Sequence, residues 1–361
     1  TLVADYRIKV GPRRYPRRET TPKAAIEELR SLTGWSDRHS DVFLRLVGNN
    51  KLARFQIHAT ESILSALGEP QLTGRIVTSG TGSGKTLAFY IPALLDIAAT
   101  HGQKRSGPHT LALYPRNELL RDQAREALRV VIDLGPLSAR PGGRLARIGL
   151  LYGQTPHARD LDSDHDWRAW KRRSHGWSAP YFPCLTENCQ GSLVWSDTDR
   201  AAGRERLACS TCSFNTLPGT IALTRESMEK DPPDILFSST EMLSQQSTNL
   251  RLAPLLGWKG PNGTKMVLLD EVHTYTGVHG AQVALMLRRW RHANRQWGVD
   301  SPIMVGLSAT LRDAGDFFAA LTGAERHYVE VIAPSPDELL PISREYGIVL
   351  RGDPVSGSPL L

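Results

Sequence analysis

The sequence predicts an α/β protein: a central, mainly parallel sheet flanked by helices and interrupted by a small cysteine-bearing insertion. Three observations carry this. A β-branched run at 75–78 leads through the glycine-rich stretch 79–84 into a helically periodic segment, 86–99. A second apolar run, 266–269, ends in two adjacent carboxylates, Asp270 and Glu271, 185 positions after Lys85. All four cysteines fall between these two places.

At 361 residues the chain has room for two domains, or for one large domain with an insertion. Hydrophobic residues make up 40% and charged residues 22%, an ordinary globular balance, and no run of about 18 apolar residues is present to cross a bilayer. Nothing at Thr1 resembles a charged-then-apolar export signal, so the chain reads as cytoplasmic and as a piece of a longer protein. The net charge is +7 and the isoelectric point near 9.3. Residues 1–30 hold eight Lys/Arg against four Asp/Glu, and residues 312–361 reverse that balance. Such an excess suits a polyanion partner, because Lys and Arg displace counterions from phosphates, and it equally serves solubility. The stretch PRRYPRR at 12–18 reads as a phosphate-gripping arm or as a solvated, poorly ordered tail.

The first strand, loop and helix stand in P-loop order. Glycines let successive backbone N–H groups turn inward around phosphate oxygens, and the helix N-terminus adds partial positive charge. Gly80, Thr81, Gly82, Ser83 and Gly84 form that cradle, Lys85 reaches the β- and γ-phosphates, and Thr86 holds Mg²⁺. Ser79 stands where the pattern has its first glycine, and a small residue still fits there. Leu87, Tyr90, Ile91, Leu94 and Leu95 supply the apolar stripe of the helix.

Three βα units of about 30 residues each would separate the two motifs in a plain sheet, so roughly 70 to 90 residues are inserted. Cys184, Cys189, Cys209 and Cys212 place the insertion at 159–230. Their spacing, C-x4-C, 19 residues, C-x2-C, supplies four thiolates for a tetrahedral Zn²⁺. Residues 191–195 and 206–208 read as the strands of a zinc ribbon. Disulfides are the rival account, which a reducing compartment disfavours. Four thiolates leave no open position for water, so the metal's role is structural. Trp167, Trp170, Trp177 and Trp195 lie here beside Lys171, Arg172 and Arg173, which suits either base stacking or a small core. Ten Lys/Arg against ten Asp/Glu in 159–230 do not make a basic groove. Asp160, Asp162, Asp164 and Asp166 alternate without the glycine and terminal Glu of a calcium loop, and read as linker.

At the end of the 266–269 strand a carboxylate stands where α/β sheets present ligands. Asp270 fits as the acid on the Mg²⁺ side, and Glu271 as the group that orients and deprotonates the attacking water.

Taken together, these blocks resemble the superfamily 2 helicases. Asp270-Glu271-Val272-His273 matches their DEAD/DEAH-type box. Leu307-Ser308-Ala309-Thr310 resembles the Ser-Ala-Thr motif that couples hydrolysis to nucleic-acid binding, and residues 114–119 resemble motif Ia. Residues 235–243 resemble a later strand-contact motif, and Phe55-Gln56 the upstream adenine-reading glutamine, at a long interval from Lys85. Residues 152–156 and 273–289 are most similar to MrfA-type DNA helicases and the related DrmA helicase of DISARM phage defence. The resemblance spans about residues 50–330 outside the insertion. It implies a RecA-like P-loop domain, ATP and Mg²⁺ as cofactors beside the structural Zn²⁺, and nucleic acid, DNA before RNA, as partner. Arg116, Thr155 and Thr240 would then donate to substrate phosphates, with a surface Arg, a turn Thr and a helix cap as their plain alternatives. His273 would bridge the ATP site to Ser308 and Thr310, or simply pack.

The implied organisation is an N-terminal basic extension, 1–48; a RecA-like domain in two parts, 49–158 and 231–335; the zinc-binding insertion, 159–230; and a linker, 336–361. That linker would lead toward a second RecA-like domain in the full-length chain, since no Gln-x-x-Gly-Arg-x-x-Arg block occurs here. The leading expectation is a DNA helicase or translocase motor of a phage-defence or DNA-repair system. An RNA helicase and a nucleotide-switched module that docks protein partners through the insertion are the alternatives.

Overall fold

Apolar residues along successive strands alternate between two cores, and that alternation builds the central sheet. A computed structural model describes residues 5–80, 82–100, 105–137, 144–161, 169–299, 301–309 and 311–351. Thr81, Asp162, Asp164, Asp166, Trp167 and Thr310 lie outside the described residues.

In chain order the strands are β1 (Asp5–Pro16), β2 (Gly74–Thr78), β3 (Thr110–Tyr114), β4 (Ile148–Leu151), β5 (Lys171–Arg173), β6 (Gly176–Pro183) and β7 (Ser192–Ser196). They continue with β8 (Leu207–Cys209), β9 (Ile221–Ala222), β10 (Ile235–Ser239), β11 (Met266–Leu269), β12 (Ile303–Ser308), β13 (Val329–Ile332) and β14 (Leu339–Arg351). The α-helices are α1 (Pro22–Leu29), α2 (Asp37–Val47), α3 (Arg54–Ser65), α4 (Lys85–Ala99), α5 (Asn117–Leu134) and α6 (Asp197–Ala201). After the insertion come α7 (Arg225–Lys230), α8 (Thr240–Gln245), α9 (Leu252–Leu255), α10 (Gly277–Gln296) and α11 (Ala314–Thr322).

Eight strands form one sheet in the order β13-β2-β12-β11-β3-β10-β4-β9, and every neighbouring pair is parallel. Val77, Ala112, Phe237, Leu268 and Val305 face one core, which they share with α1 to α5. Ile76, Leu111, Leu113, Leu236, Val267 and Met304 face the other, under α8 to α11. A parallel sheet covered on both faces needs strands apolar at every position. That is why β3, β10, β11 and β12 are buried along their whole length.

The ends of the chain depart from the sequence reading. β1 pairs antiparallel with β14 from Asp5↔Arg351 to Pro16↔Leu339, so the PRRYPRR stretch lies in and just beyond a strand instead of forming a solvated tail. Residues 1–48 are not a plain extension either: Ala25, Ile26, Leu29, Val42, Phe43 and Val47 belong to the first core. Helical spacing of these apolar residues in α1 and α2 buries them against α3, α4 and α5.

The insertion forms an antiparallel sheet, β5-β6-β7-β8. The main sheet resumes with β9 pairing β4, so part of 159–230 already belongs to it. Trp170 and Trp195 are buried in the same core as α5, together with Phe182, Leu193 and Leu207. These rings fill a core, not a base-stacking platform. Asp199, buried beside them, accepts from Arg204 Nε at 2.9 Å and Arg206 Nε at 3.1 Å, which pairs an otherwise costly buried charge. Among the described residues no helix is long and apolar enough to cross a membrane.

Candidate functional site

Strand order brings the two sequence motifs together. β12 lies between β2 and β11, so Ser308 at its end separates the glycine loop from the paired acids by one strand on each side. Parallel pairing puts all three carboxyl ends on one edge of the sheet. Lys85 opens α4 and its Nζ donates to the Ser308 carbonyl at 3.0 Å. Half-burial lowers the Lys85 pKa, and the facing Glu271 and Asp270 act against that lowering.

The loop holds its shape by backbone. Ser79 N–H donates to Ser308 O at 3.3 Å, and Ser83 N–H to Gly80 O at 3.3 Å. Gly82 and Gly84 sit at φ 77° and 90°, left-handed positions that glycine adopts without strain. Among the described residues the buried hydroxyls of Ser79 and Ser83 have no hydrogen-bond partner, although such groups are costly to leave unpaired. A phosphate seated in the loop fits both observations. Gln56, buried on α3, accepts from Ala53 N–H at 2.9 Å and donates through Nε2 to Gly84 O at 3.0 Å, which ties the predicted adenine reader to the loop.

Asp270 is 8% exposed and accepts from the Glu271 N–H at 2.8 Å. Burial pushes its pKa up to about 6; the Glu271 amide opposes this, and the Glu271 charge adds to it. Among the described residues no cation stands within ion-pairing distance of Asp270. An uncompensated buried carboxylate is the chemistry expected of a Mg²⁺ ligand. Glu271 takes a left-handed backbone, φ 48°, unusual for a residue with a side chain and found where function holds strain. Its Oε2 lies 3.2 Å from His273 Nδ1, which also lies 3.3 Å from Ser308 Oγ. His273 thus lies between Glu271 and Ser308; Thr310 lies outside the described residues.

The three predicted nucleic-acid residues follow three adjacent strands. Arg116 comes after β3, Thr240 after β10 and Thr155 after β4, along the same edge that carries Asp270. Arg116 is exposed and precedes the first turn of α5. The two threonines differ from the expectation that they donate to phosphates. Thr155 Oγ1 donates to Leu150 O at 2.7 Å and its N–H to Tyr152 O at 3.0 Å, so neither proton is free. It is the turn threonine. Thr240 is 5% exposed at the start of α8, where Ser239 provides the cap.

In the insertion the four cysteine sulfurs lie within 4.8 Å of one another, with no disulfide. Cys184 Sγ stands 3.5 Å from Cys212 Sγ, and Cys189 Sγ 3.7 Å from Cys209 Sγ. Tetrahedral Zn–S bonds of about 2.3 Å put sulfurs about 3.8 Å apart, so the donor set fits zinc. The N–H groups of Thr186, Gly191 and Thr211 point at sulfurs from 3.3 to 3.4 Å. The Phe214 amide, with Thr186, draws the Cys212 thiol down to about 6. Against the Gly191 amide, burial and the neighbouring thiols push Cys189 up to about 12. A Cβ on Gly191 would fall 2.4 Å from Cys209 Sγ, so only glycine fits beside the cluster.

Residues 54–154 match the family model described as DEAD/DEAH box helicase. That matched segment, under a third of the chain, includes the glycine loop and is similar to DEAD/DEAH-box helicases. A curated relative, "Druantia protein DruE" of Escherichia coli (strain UMEA 4076-1), is 26% identical over 275 residues, 64% of this chain and 14% of DruE. Among solved structures, the helicase MrfA bound to DNA aligns at TM-score 0.52 and 17% identity, over 96% of this chain and 32% of MrfA. The DEAD-box helicase Mss116 bound to ssRNA and UDP-BeF gives 0.52 and 16%, over 89% and 47%. The chain thus spans from 14% to 47% of the length of these proteins. At these identities the likeness fixes the fold, a RecA-like parallel sheet, and the zinc-compatible insertion is the part the motifs do not account for.

Two features of the site were only partly readable. Tyr90, read as part of the α4 stripe, and Tyr114, in the stretch that resembles motif Ia, are buried in the environment of Asp270; burial raises both phenols far above their usual range. Tyr15 and Arg18 lie in the stretch 12–18 that reads as a phosphate-gripping arm, but their place against the glycine loop has no local mark.

Proposed function

We propose that this domain is the first motor lobe of an ATP-driven helicase or translocase acting on DNA, in a phage-defence or DNA-repair system. The observation that carries it is the convergence of Lys85, Ser308, Asp270 and Glu271 on one sheet edge across three neighbouring strands.

Lys85 and the loop amides would bind the β- and γ-phosphates, and Thr86 and Asp270 would hold Mg²⁺. Bound Mg²⁺ supplies charge neutralisation between the β- and γ-phosphate oxygens. Glu271, strained and half-exposed beside them, would take a proton from the attacking water. His273 holds the Glu271 carboxylate and Ser308 at once, so a shift of the Ser308 segment on nucleic acid would be felt at the base. Arg116 offers the exposed cation for the strand. A completed active site would need charge on the γ-phosphate from a second lobe, and such an arginine contributes about 10³ to 10⁵ in rate. The domain alone is therefore expected to turn over slowly. The four cysteines would hold a structural Zn²⁺.

DNA is preferred because the MrfA fold, solved with DNA, matches over 96% of this chain. The test is ATPase activity of the complete protein with single-stranded DNA, duplex DNA or RNA added. Stimulation by DNA supports the reading, and stimulation by RNA alone replaces it with an RNA helicase. Nucleotide binding with no stimulated turnover would leave a nucleotide-switched binding module.

A further inference from the structure

The glycine loop has a second cation against it that the P-loop pattern does not contain. Arg18 leaves the end of β1 and brings Nη2 to 3.5 Å from the Ser83 carbonyl. A Cβ placed on Gly84 would stand 3.0 Å from that same Nη2 and 2.7 Å from Gln56 Nε2, so arginine and glutamine close on the loop together. The Tyr15 ring covers the next glycine, 3.3 Å from where a Cβ of Gly82 would be.

The backbone around Arg18 is fixed on both sides. Arg17 N–H donates to Glu338 O in the turn just before β14 at 2.8 Å, and Thr20 exchanges two hydrogen bonds with Leu52, at 3.2 and 2.9 Å, just before α3. Arg18 as a residue is exposed, its contact to the loop is part-buried, and among the described residues its guanidinium has no ion-pair partner. A long contact to one carbonyl is a weak return for ordering an arginine, whose flexible side chain loses much rotamer freedom when held. The loop beside it already collects Lys85, inward amides and a helix N-terminus, all favouring an anion. A further cation there gains only when that anion is present.

We propose that Arg18 is a phosphate-contact residue of the nucleotide site, delivered in cis by the strand that precedes the domain. This rests on reading the loop as a nucleotide site. Its ligand is the phosphate chain of a nucleoside triphosphate, not the base. Because Arg17 is bonded to Glu338, the same contact ties nucleotide occupancy to the β1–β14 ribbon.

Calorimetric titration of the chain with MgATP, MgGTP and tripolyphosphate tests it. Arg18→Ala weakens all three about tenfold, the size of one lost charge-assisted hydrogen bond. Arg18→Gln keeps a donor for Ser83 O and so the local fold, yet loses the same affinity; Lys9→Ala, an equal charge change further along β1, leaves all three unchanged. A loss confined to MgATP would make Arg18 a base contact, and tighter binding would make it an obstruction; either overturns the proposal. Wild-type affinity in both Arg18 variants, with Lys85→Ala inactive, removes Arg18 and leaves the nucleotide site standing. Unimpaired binding by Lys85→Ala would remove the nucleotide site itself.

Discussion

Oε2 of Glu271 lies 3.2 Å from Nδ1 of His273, and the residue that carries the carboxylate is held in a left-handed backbone conformation. The same ring nitrogen reaches Ser308, whose carbonyl takes the Lys85 ammonium. Glu271, Lys85 and the Ser308 segment are thus joined through His273 and Ser308.

Glu271→Gln should separate binding from turnover. The amide keeps the shape of the carboxylate and cannot accept a proton. ATP affinity should stay within a few-fold, while kcat of the complete protein falls about 10² to 10⁴, the usual contribution of a positioned general base. Single-turnover hydrolysis read against nucleotide binding checks this; surviving turnover would show that the base lies elsewhere.

What the sequence made legible is what local pattern can encode. The strand at β2, the glycine turn and the α4 stripe follow from neighbours in the chain, and so do Asp270 and Glu271 at the end of β11. The Cys pairs are local too, and only their meeting required the β7–β8 hairpin. The stretch 12–18 suggests phosphate contact by its basic residues, but that Arg18 and Tyr15 meet the glycine loop is not legible, because β1 reaches its place by pairing with β14 at the far end of the chain, a contact with no local signature. Thr155 was misread for a related reason: in a motif it resembles a phosphate donor, but its one hydroxyl proton is committed to Leu150 O.

Asp270 should make both stability and metal binding depend on pH, in opposite senses. Its folded pKa of about 6 lies above the ordinary 3.8 of an aspartate, so the folded chain binds the proton more tightly than the unfolded chain. Without metal, the charged form therefore costs stability above pH 6, and that cost is relieved as the pH falls from about 6 to about 4. At 1.36 kcal/mol per pKa unit the cost is about 3 kcal/mol. In EDTA, Asp270→Asn should raise the melting temperature at pH 7.5 and lose that advantage near pH 4. In the wild type, Mg²⁺-dependent nucleotide binding should weaken as the pH falls below about 6. A flat difference between the two proteins across this range would remove burial as the cause of the shift.

Metal analysis of the chain should find one zinc per molecule, lost in Cys212→Ser. Gly191→Ala should lose it as well, although glycine is no ligand, because the added methyl would collide with Cys209 Sγ. Since the insertion shares its core with α5 through Trp195 and Phe182, chelation should also lower the melting temperature of the whole domain. Intact cooperative unfolding at an unchanged temperature after zinc removal would show the cluster to be dispensable.

Arg116→Ala and Thr155→Val should part company. Arg116 is exposed beside the acid strand, so its loss should weaken binding to single-stranded DNA uniformly across sequences and reduce the salt slope of log K by about 0.7. Thr155 holds a turn from inside: removing its hydroxyl leaves Tyr152 N–H without its acceptor, a destabilisation of about 1 to 3 kcal/mol. That variant should melt earlier yet keep the DNA affinity and salt slope of the wild type at temperatures where it remains folded. Should Thr155→Val instead lose a phosphate contact, its slope would fall as Arg116→Ala does, and the hydroxyl would have to leave Leu150 O when DNA binds.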